Sequence, residues 1–539
     1  MSDDPTDAPG LLWQITFRLR LLSDTHVGAA RPLPRHAAES DVDLRVDRDP
    51  LTGAPRLRAS TLAGLLRHEL ASRTGDPDSV HALLGTAREH TTSDRRAPST
   101  SLLDVDDALA ELPEDTTVAI RTGVRVDPAA GTVRTGRVWQ WEILPAGTVF
   151  TAHMRLRVPA PADEVRLLTL LLLATDGLTG RDGTGPGVRL GGRTGRGYGD
   201  VRAAHWAVRR YDLTDEHDWF AYHSRSWAER WEHGARALSG APEDLATALT
   251  GRLRACGRTA TAAHLIARTT RPDRRHRAEL HLTLAVAERT DPLGRPGGEL
   301  RPGTLLLGDP PPPERIGAVD RAHRHRPEGT DGSTRSVPVL GDTALFSLLK
   351  RVSGRLVRDA AEHLRAPAAH WREWHDGWWG ADTGRRGPPR PSRIGLRTTP
   401  VLIGGASLTT TRLTVDALFG DAVEGRLFTT DLYCGGTAEV IVDVREPDDA
   451  VRGLFTLLVR ELATVAFDAL GADTGSGNGR LTATHAHLTT HTGTGDPPRT
   501  VDLLTAVFEP DSAEAAAARG WLDALRTALT GHDEAARRR

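Results

Sequence analysis

The chain has 539 residues, a formal net charge of −2, 39% hydrophobic and 26% charged residues. This is ordinary globular composition, which excludes wholesale disorder, and the length calls for two large domains with insertions. The near-neutral balance excludes indiscriminate polyanion binding, so a nucleic-acid partner requires a local positive stripe, built here from arginine because Lys350 is the only lysine.

The acidic start, MSDDPTDAPG, lacks the basic and apolar regions of a signal peptide. Trp13 to Leu22 (WQITFRLRLL) alternates as a half-buried strand does. A loop with Asp24, His26 and Gly28 leads to the acidic stretch SDVDLRVDRDPLTG, Ser40 to Gly53. In ASTLAGLLRHEL the leucines repeat at helical spacing, with Ser60 as the expected N-cap and Arg67 toward the C-terminal end. After a Leu84-Gly85 stop, TVAIRTGVRVD and WQWEILPAGTVFTAHMRLRV predict extended hairpins around Asp127. A helix from Ala162 to Thr175 then runs into LGGRTGRGYGDV, Leu190 to Val201. Leu167 to Ala174 is the longest apolar run, far short of the ~20 residues that cross a bilayer.

The same order of events recurs after Arg277. AELHLTLAVAE is a strand, and TLLLGD leads through the stiff segment DPPPPER to a loop holding Asp320, His323 and His325. VPVLGDTALFSLLKR repeats the first helix, with Thr343 and Lys350 seven residues apart, as are Ser60 and Arg67. Trp379-Gly380 stands for Leu84-Gly85, Asp416 for Asp127, and GADTGSGNGRL, with Arg480, for the first glycine-rich loop. Five landmarks in one order point to duplication. The expected organisation is 1–208 and 277–530 as the two copies, 209–276 as a helical connector and 531–539 as a basic tail. Each copy reads as the α+β, ferredoxin-like (RRM-like) βαββαβ plan with a thumb-like hairpin insertion.

The segments THVG, VDLRVDRDPLTGAPRLRASTLAGLLR, RTGVRVD with LPAGTVF, and GGRTGRGYG together resemble the RAMP superfamily of CRISPR-associated proteins, specifically the repeating backbone subunit of type III effectors. The second copy is looser but keeps the order, so the chain resembles a fused pair of such subunits, as in type III-D-like systems. The resemblance implies two tandem RAMP domains that bind a CRISPR guide RNA and the complementary target RNA beside other effector subunits. It also implies a thumb hairpin that flips a nucleotide, and cleavage by an aspartate with a divalent metal, Mg²⁺. Alignment on RDPLTG makes that aspartate Asp43, and Asp320 occupies the corresponding loop of the second copy; both are the expected catalytic and metal-binding residues.

The expected RNA contacts are His26, Ser60, Arg67, Arg193, Arg196, Tyr198, His323, Thr343, Lys350 and Arg480. Hydroxyls and backbone N–H groups at a helix start seat phosphate, arginines pair with it, and Tyr198 stacks on a base or sugar. Asp41, Asp47 and Asp49 are expected in turns and salt bridges, and Asp127 and Asp416 in hairpin turns. Where the family motif carries a mid-helix lysine, this chain has Ala63. Cys256 and Cys434 are too few for a disulfide framework or zinc site, which fits a reduced cytoplasm, and no Ser-His-Asp order or P-loop is present. Three functions follow: a guide-bound, metal-dependent endoribonuclease, a non-cutting scaffold of the same assembly, or a guide-RNA-processing relative using histidine.

Overall fold

The computed structural model describes residues 10–28, 42–86, 99–114, 116–126, 133–179, 187–269, 275–291, 298–309, 315–328, 335–381, 390–464, 468–493 and 496–531. The chain divides into two compact units, Met1–Thr194 with Tyr198–Arg274, and Gly195–Gly197 with Arg275–Arg539. Asp41, Asp127 and the basic tail lie outside the described residues.

The first unit begins with β1 (Leu11–Leu21), β2 (Arg56–Leu57), α1 (Ala59–Thr74) and α2 (Pro77–Leu84). Strands β3 (Leu103–Val105) and β4 (Ala108–Glu111) precede a hairpin of β5 (Ala119–Val126) and β6 (Val133–Ile143). The unit continues with β7 (Val149–Val158), α3 (Glu164–Thr175) and β8 (Val201–Asp212). The main sheet has the order β2-β4-β7-β1-β8, with β3 also on β7, and every pairing is antiparallel. The succession β1-α1-β3-β7-α3-β8 is the ferredoxin-like βαββαβ plan.

Alternation in β1 predicts burial on one face. Instead, among its residues only Arg18 is exposed. Trp13, Ile15, Phe17 and Leu19 join the main core with Leu62 and Leu66 of α1 and Leu167 and Leu171 of α3. The opposite face is covered by α5 (Trp227–Arg236), which follows α4 (Glu216–His223) and packs on β1 and β8.

The helices after β8 therefore belong to the first unit and are not a free-standing connector, and β8 itself runs past the expected boundary at 208. Helices α6 (Leu245–Ala255) and α7 (Thr259–Thr269) place Leu249, Leu253 and Leu265 in the same core. A buried ion network fastens them. Glu164, fully buried, accepts from Trp13 Nε1 at 3.1 Å, Arg210 Nε at 2.7 Å and Arg258 Nη2 at 3.3 Å. A buried carboxylate is tolerable only when so compensated.

The second unit opens with β9 (Arg277–Arg289), β10 (Leu300–Pro302), β11 (Thr304–Leu305), β12 (Gly308–Asp309), β13 (Arg321–His323), β14 (His325–Glu328) and β15 (Arg335–Pro338). Helices α8 (Asp342–His363) and α9 (Ala368–Trp379) lead to β16 (Ile394–Leu396) and a hairpin of β17 (Ala406–Val415) and β18 (Ala422–Cys434). Then come β19 (Thr437–Arg445), α10 (Asp449–Ala463), β20 (Leu481–His491), β21 (Arg499–Asp502), α11 (Leu503–Phe508) and α12 (Ala513–Thr530). The antiparallel sheet order β16-β19-β9-β20-β21 repeats the first, with β9 in the place of β1.

The repetition extends to individual bonds. Ser101 Oγ donates to Leu103 O at 2.7 Å, and Ser392 Oγ to Ile394 O at 2.5 Å. Arg157 Nη2 on β7 donates to Ser101 O at 2.8 Å, and Arg445 Nη2 on β19 to Ser392 O at 2.6 Å. The glycine-rich loops close alike: Leu190 N to Gly199 O and Leu470 N to Gly479 O are both 2.8 Å. The units are two copies of one α+β fold.

Candidate nucleic-acid interface

Asp43 and Asp320 occupy the same position in the two copies. Asp43 N donates to Gln140 O at 3.0 Å, and its Oδ2 accepts from Gln140 N at 2.7 Å. Asp320 N donates to Thr429 O at 2.8 Å, and its Oδ2 accepts from Thr429 N at 2.7 Å. Each aspartate is thereby clipped by backbone and side chain to the second strand of its hairpin, β6 or β18. Both residues are exposed. Among the described residues, Oδ1 of each has no hydrogen-bond partner, so one oxygen is fixed and the other is left for a ligand.

Two acidic residues that motif reading passed over stand two positions beyond these anchors. Glu142 accepts from Val46 N at 2.9 Å and pairs with Arg48 at 3.3 Å, and Asp431 pairs with Arg315 at 3.0 Å. The shared spacing, Gln140 to Glu142 and Thr429 to Asp431, was the available signal. No group of three or more His, Cys, Asp or Glu side chains that could hold a metal occurs among the described residues. A single hard carboxylate oxygen per copy suits a magnesium ion that keeps water and takes further ligands from RNA phosphates, and does not suit a metal caged by protein.

The neighbours of Asp43 behave as expected of turn and ion-pair residues. Asp47 is bound by Arg58, at 2.7 Å to each oxygen, and by Arg56 Nε at 3.0 Å. Arg58, more than Arg56, holds its carboxyl below the usual range. Asp49 Oδ1 caps a turn through Thr52 N at 2.8 Å, and Asp416 Oδ1 does so through Leu418 N and Phe419 N, both at 2.9 Å.

Several expected RNA contacts are occupied inside the protein. Tyr198 is 1% exposed and packs with Trp141 and Ile143, so it presents no face for stacking. His323 is 3% exposed, its Nε2 donates to Val339 O at 3.1 Å, and burial pushes its pKa down to about 4. A neutral, enclosed imidazole is no phosphate contact. His26 is also buried, and its Nδ1 donates to Glu142 O at 2.7 Å.

Ser60 is exposed but caps nothing: Arg58 is the N-cap residue of α1, without a side-chain bond. Gly341 holds that position in α8, and Thr343 Oγ1 is buried without a partner among the described residues. Arg67 and Lys350 lie within their helices, not at their ends. Arg67 Nη1 donates to Gly85 O at 2.9 Å and Nη2 to Leu84 O; Lys350 Nζ donates to Gly380 O at 2.6 Å and to Trp379 O at 3.4 Å. These cations bind the carbonyls of the two stop sequences. Arg480 is exposed and pairs with Glu288 at 3.3 Å.

Arg193 and Arg196 are half-buried. The Arg193 guanidinium lies 3.8 Å from the Trp141 ring centroid, close enough for a cation–π contact. That contact places a planar cation beside the hairpin strand that anchors Asp43. The base of the first hairpin thus combines an exposed carboxylate, an arginine and tryptophans, whereas at the second the described partners are threonine, arginine and aspartate.

No helix among the described residues is long and apolar enough to cross a membrane. No curated protein sequence matches the chain. Among solved structures it is similar to the cryo-EM structure of a type III-B Cmr-beta in the apo state, with 16% identity, covering 35% of this chain and 96% of that one, and a TM-score of 0.27. A type III-B Cmr-beta bound to cognate target RNA is similar at 14% identity with the same coverages and TM-score. Residues 18–202, from β1 to the start of β8, match the model of the RAMP superfamily.

Proposed function

We propose that the chain is a double backbone subunit of a type III CRISPR effector, which binds guide RNA and cleaves the paired target at Asp43 and Asp320. The observation that carries this reading is the identical clipping of the two exposed aspartates to the two hairpins. Two equivalent carboxylates on tandem copies suit a ruler that acts at two places along one RNA. Guide pairing supplies the sequence reading, so the chain needs no base-specific contacts of its own.

In this reading Gln140 N and Thr429 N hold Oδ2 of their aspartates, which fixes the direction of the carboxylates. Oδ1 is left to accept from the attacking 2′-hydroxyl or to hold a hydrated cation. Magnesium, when bound, neutralises charge developing on the scissile phosphate. Arg193, steadied on Trp141, supplies a phosphate partner beside the first site. The buried, neutral His323 and the committed Nδ1 of His26 speak against histidine-driven processing of guide RNA at these positions.

The test is target cleavage by the guide-loaded assembly carrying wild type, Asp43→Ala or Asp320→Ala, each with magnesium and with chelator. Loss of one cut per substitution, with target binding retained, is expected. Survival of every cut in the double variant assigns the chain a scaffold role and the nuclease to another subunit.

A further inference from the structure

The face of the first sheet opposite the main core carries a cavity of about 340 Å³ between β1, β7, β8 and α5, lined by residues that the RNA reading does not use. Its walls include Asp106, Arg155, Arg209, Arg230 and Arg252, with Trp227 and Trp231 from α5. Four guanidinium groups therefore meet one carboxylate. The carboxylate compensates little: Arg155 Nη2 stands 3.8 Å from Asp106 Oδ1.

The polar atoms here are left wanting. Asp106 Oδ2, Nε of Arg155, Arg230 and Arg252, and Trp231 Nε1 are all buried without a hydrogen-bond partner among the described residues. Trp231 faces the Asp106 carboxylate and lowers its pKa, against the larger upward push of burial, without reaching full hydrogen-bond geometry. Each such atom costs about 1–3 kcal/mol unless something satisfies it. Unmet donors and an unmet acceptor around one cavity are complementary to a ligand that is both anionic and a donor.

Neighbouring groups are already committed, which narrows the ligand further. His153, on the cavity wall, accepts from or donates to Thr16 Oγ1 at 3.0 Å and stacks on Trp231 with centroids 4.8 Å apart. Arg155 lies over the Trp227 ring at 3.9 Å, and Arg230 donates to Tyr222 O at 3.0 Å. Arg209, which lies over the Tyr211 ring at 4.7 Å, and Arg252 form no ion pair among the described residues. A bare phosphate is too small to fill this volume. A purine nucleoside phosphate meets each demand: its phosphate pairs with Arg209 and Arg252, its amino or imino edge donates to Asp106 Oδ2, and its ring fills the space between sheet and tryptophans.

We infer that the cavity beneath α5 is a binding site for a purine nucleoside monophosphate, separate from the aspartates on the hairpins. The same chemistry is offered by a free nucleotide and by the 5′-phosphorylated terminal purine of an RNA strand.

Isothermal titration of the full chain with GMP, AMP, guanosine and inorganic phosphate tests this. One equivalent of GMP or AMP is expected to bind, with guanosine and phosphate each weaker by at least about tenfold, because each keeps only half of the contacts. Arg209→Gln with Arg252→Gln, both at half-exposed positions, should weaken GMP by at least about tenfold while thermal unfolding stays close to wild type. Asp106→Asn should weaken GMP but leave phosphate unchanged. Absence of binding at millimolar GMP and AMP, or binding indifferent to the double substitution, overturns the site. Competition then identifies the source: a 5′-phosphorylated RNA that displaces GMP, where the 5′-hydroxyl RNA does not, makes the ligand an RNA end, and failure of both makes it a free nucleotide. Asp43→Ala serves as the control that leaves GMP binding intact, so this inference and the cleavage reading fail separately.

Discussion

Arg67 donates from Nη1 to Gly85 O at 2.9 Å, tying the middle of α1 to the end of α2, and Lys350 makes the same tie from α8 to Gly380 O at 2.6 Å. The glycine carbonyls at the ends of α2 and α9 are thus satisfied by a cation from the preceding helix. Burial lowers the pKa of Arg67, as expected of a guanidinium enclosed by carbonyls without a carboxylate.

Replacing either cation should therefore act on stability before it acts on RNA. Arg67→Ala and Lys350→Ala each strand carbonyl groups in a partly buried place and should cost about 1–3 kcal/mol in denaturant unfolding. The salt dependence of RNA binding should keep its slope, because no phosphate contact is lost. A slope reduced by about one would return these residues to the RNA surface.

At Asp43 the Oδ2 bond to Gln140 N and the carboxylate charge are separable by two substitutions. Asp43→Asn retains an acceptor for Gln140 N and removes the charge; Asp43→Ala removes both. In the guide-loaded assembly both should abolish the cut assigned to the first copy. Only the alanine variant should lose stability, by about 1 kcal/mol, since the residue is exposed and one hydrogen bond is at stake. Equal cutting by wild type and the asparagine variant would remove Asp43 from the chemistry.

The duplication was legible because it is written in order and spacing: both first helices carry a cation at the same distance, and both glycine-rich loops follow a helix. Alignment of Asp43 with Asp320 needed no structure, and their bonds to Gln140 and Thr429 match. What pattern could not give was long-range partnership. The segment 209–276 reads as a connector because nothing local shows that Arg258 reaches Glu164, 94 residues earlier. His323 reads as a basic-loop residue, although it lies on β13, paired with Gly308 of β12, and is buried. Tyr198 among glycines looks like a stacking residue, but those glycines serve close backbone approach and the ring turns inward.

Gly479 shows that approach most sharply. Its φ is +84°, and a Cβ there would stand 1.9 Å from Leu470 O. Gly475, in the same loop, has nothing within 4 Å and an ordinary φ. Gly479→Ala should cost more than about 1 kcal/mol, from left-handed backbone strain and the clash together, and Gly475→Ala should stay within about 0.5 kcal/mol. Thermal unfolding of the two variants beside wild type measures the difference. Equal costs would mean that the loop does not hold this conformation in solution.

Acid should loosen the protein through histidines that fold in neutral form. Burial is the first cause in each case, pushing His153, His323 and His375 down to about 4 from 6.5. Their bonds fit neutral rings: Thr16 Oγ1 for His153, Val339 O for His323, and Ser353 Oγ for His375. The unfolded chain takes up these protons first, so the stabilisation is whole above about pH 6.5 and is lost as pH falls toward about 4. Each histidine contributes at most about 3 kcal/mol over that window. Urea unfolding at descending pH should show stability falling between these limits, with one His in each unit's main sheet or loop layer and one between α8 and α9 sharing the loss. His323→Gln should flatten the curve in proportion, at the expense of stability at neutral pH. A curve unchanged down to pH 4.5 would mean that these rings reach water in solution and titrate as free imidazoles.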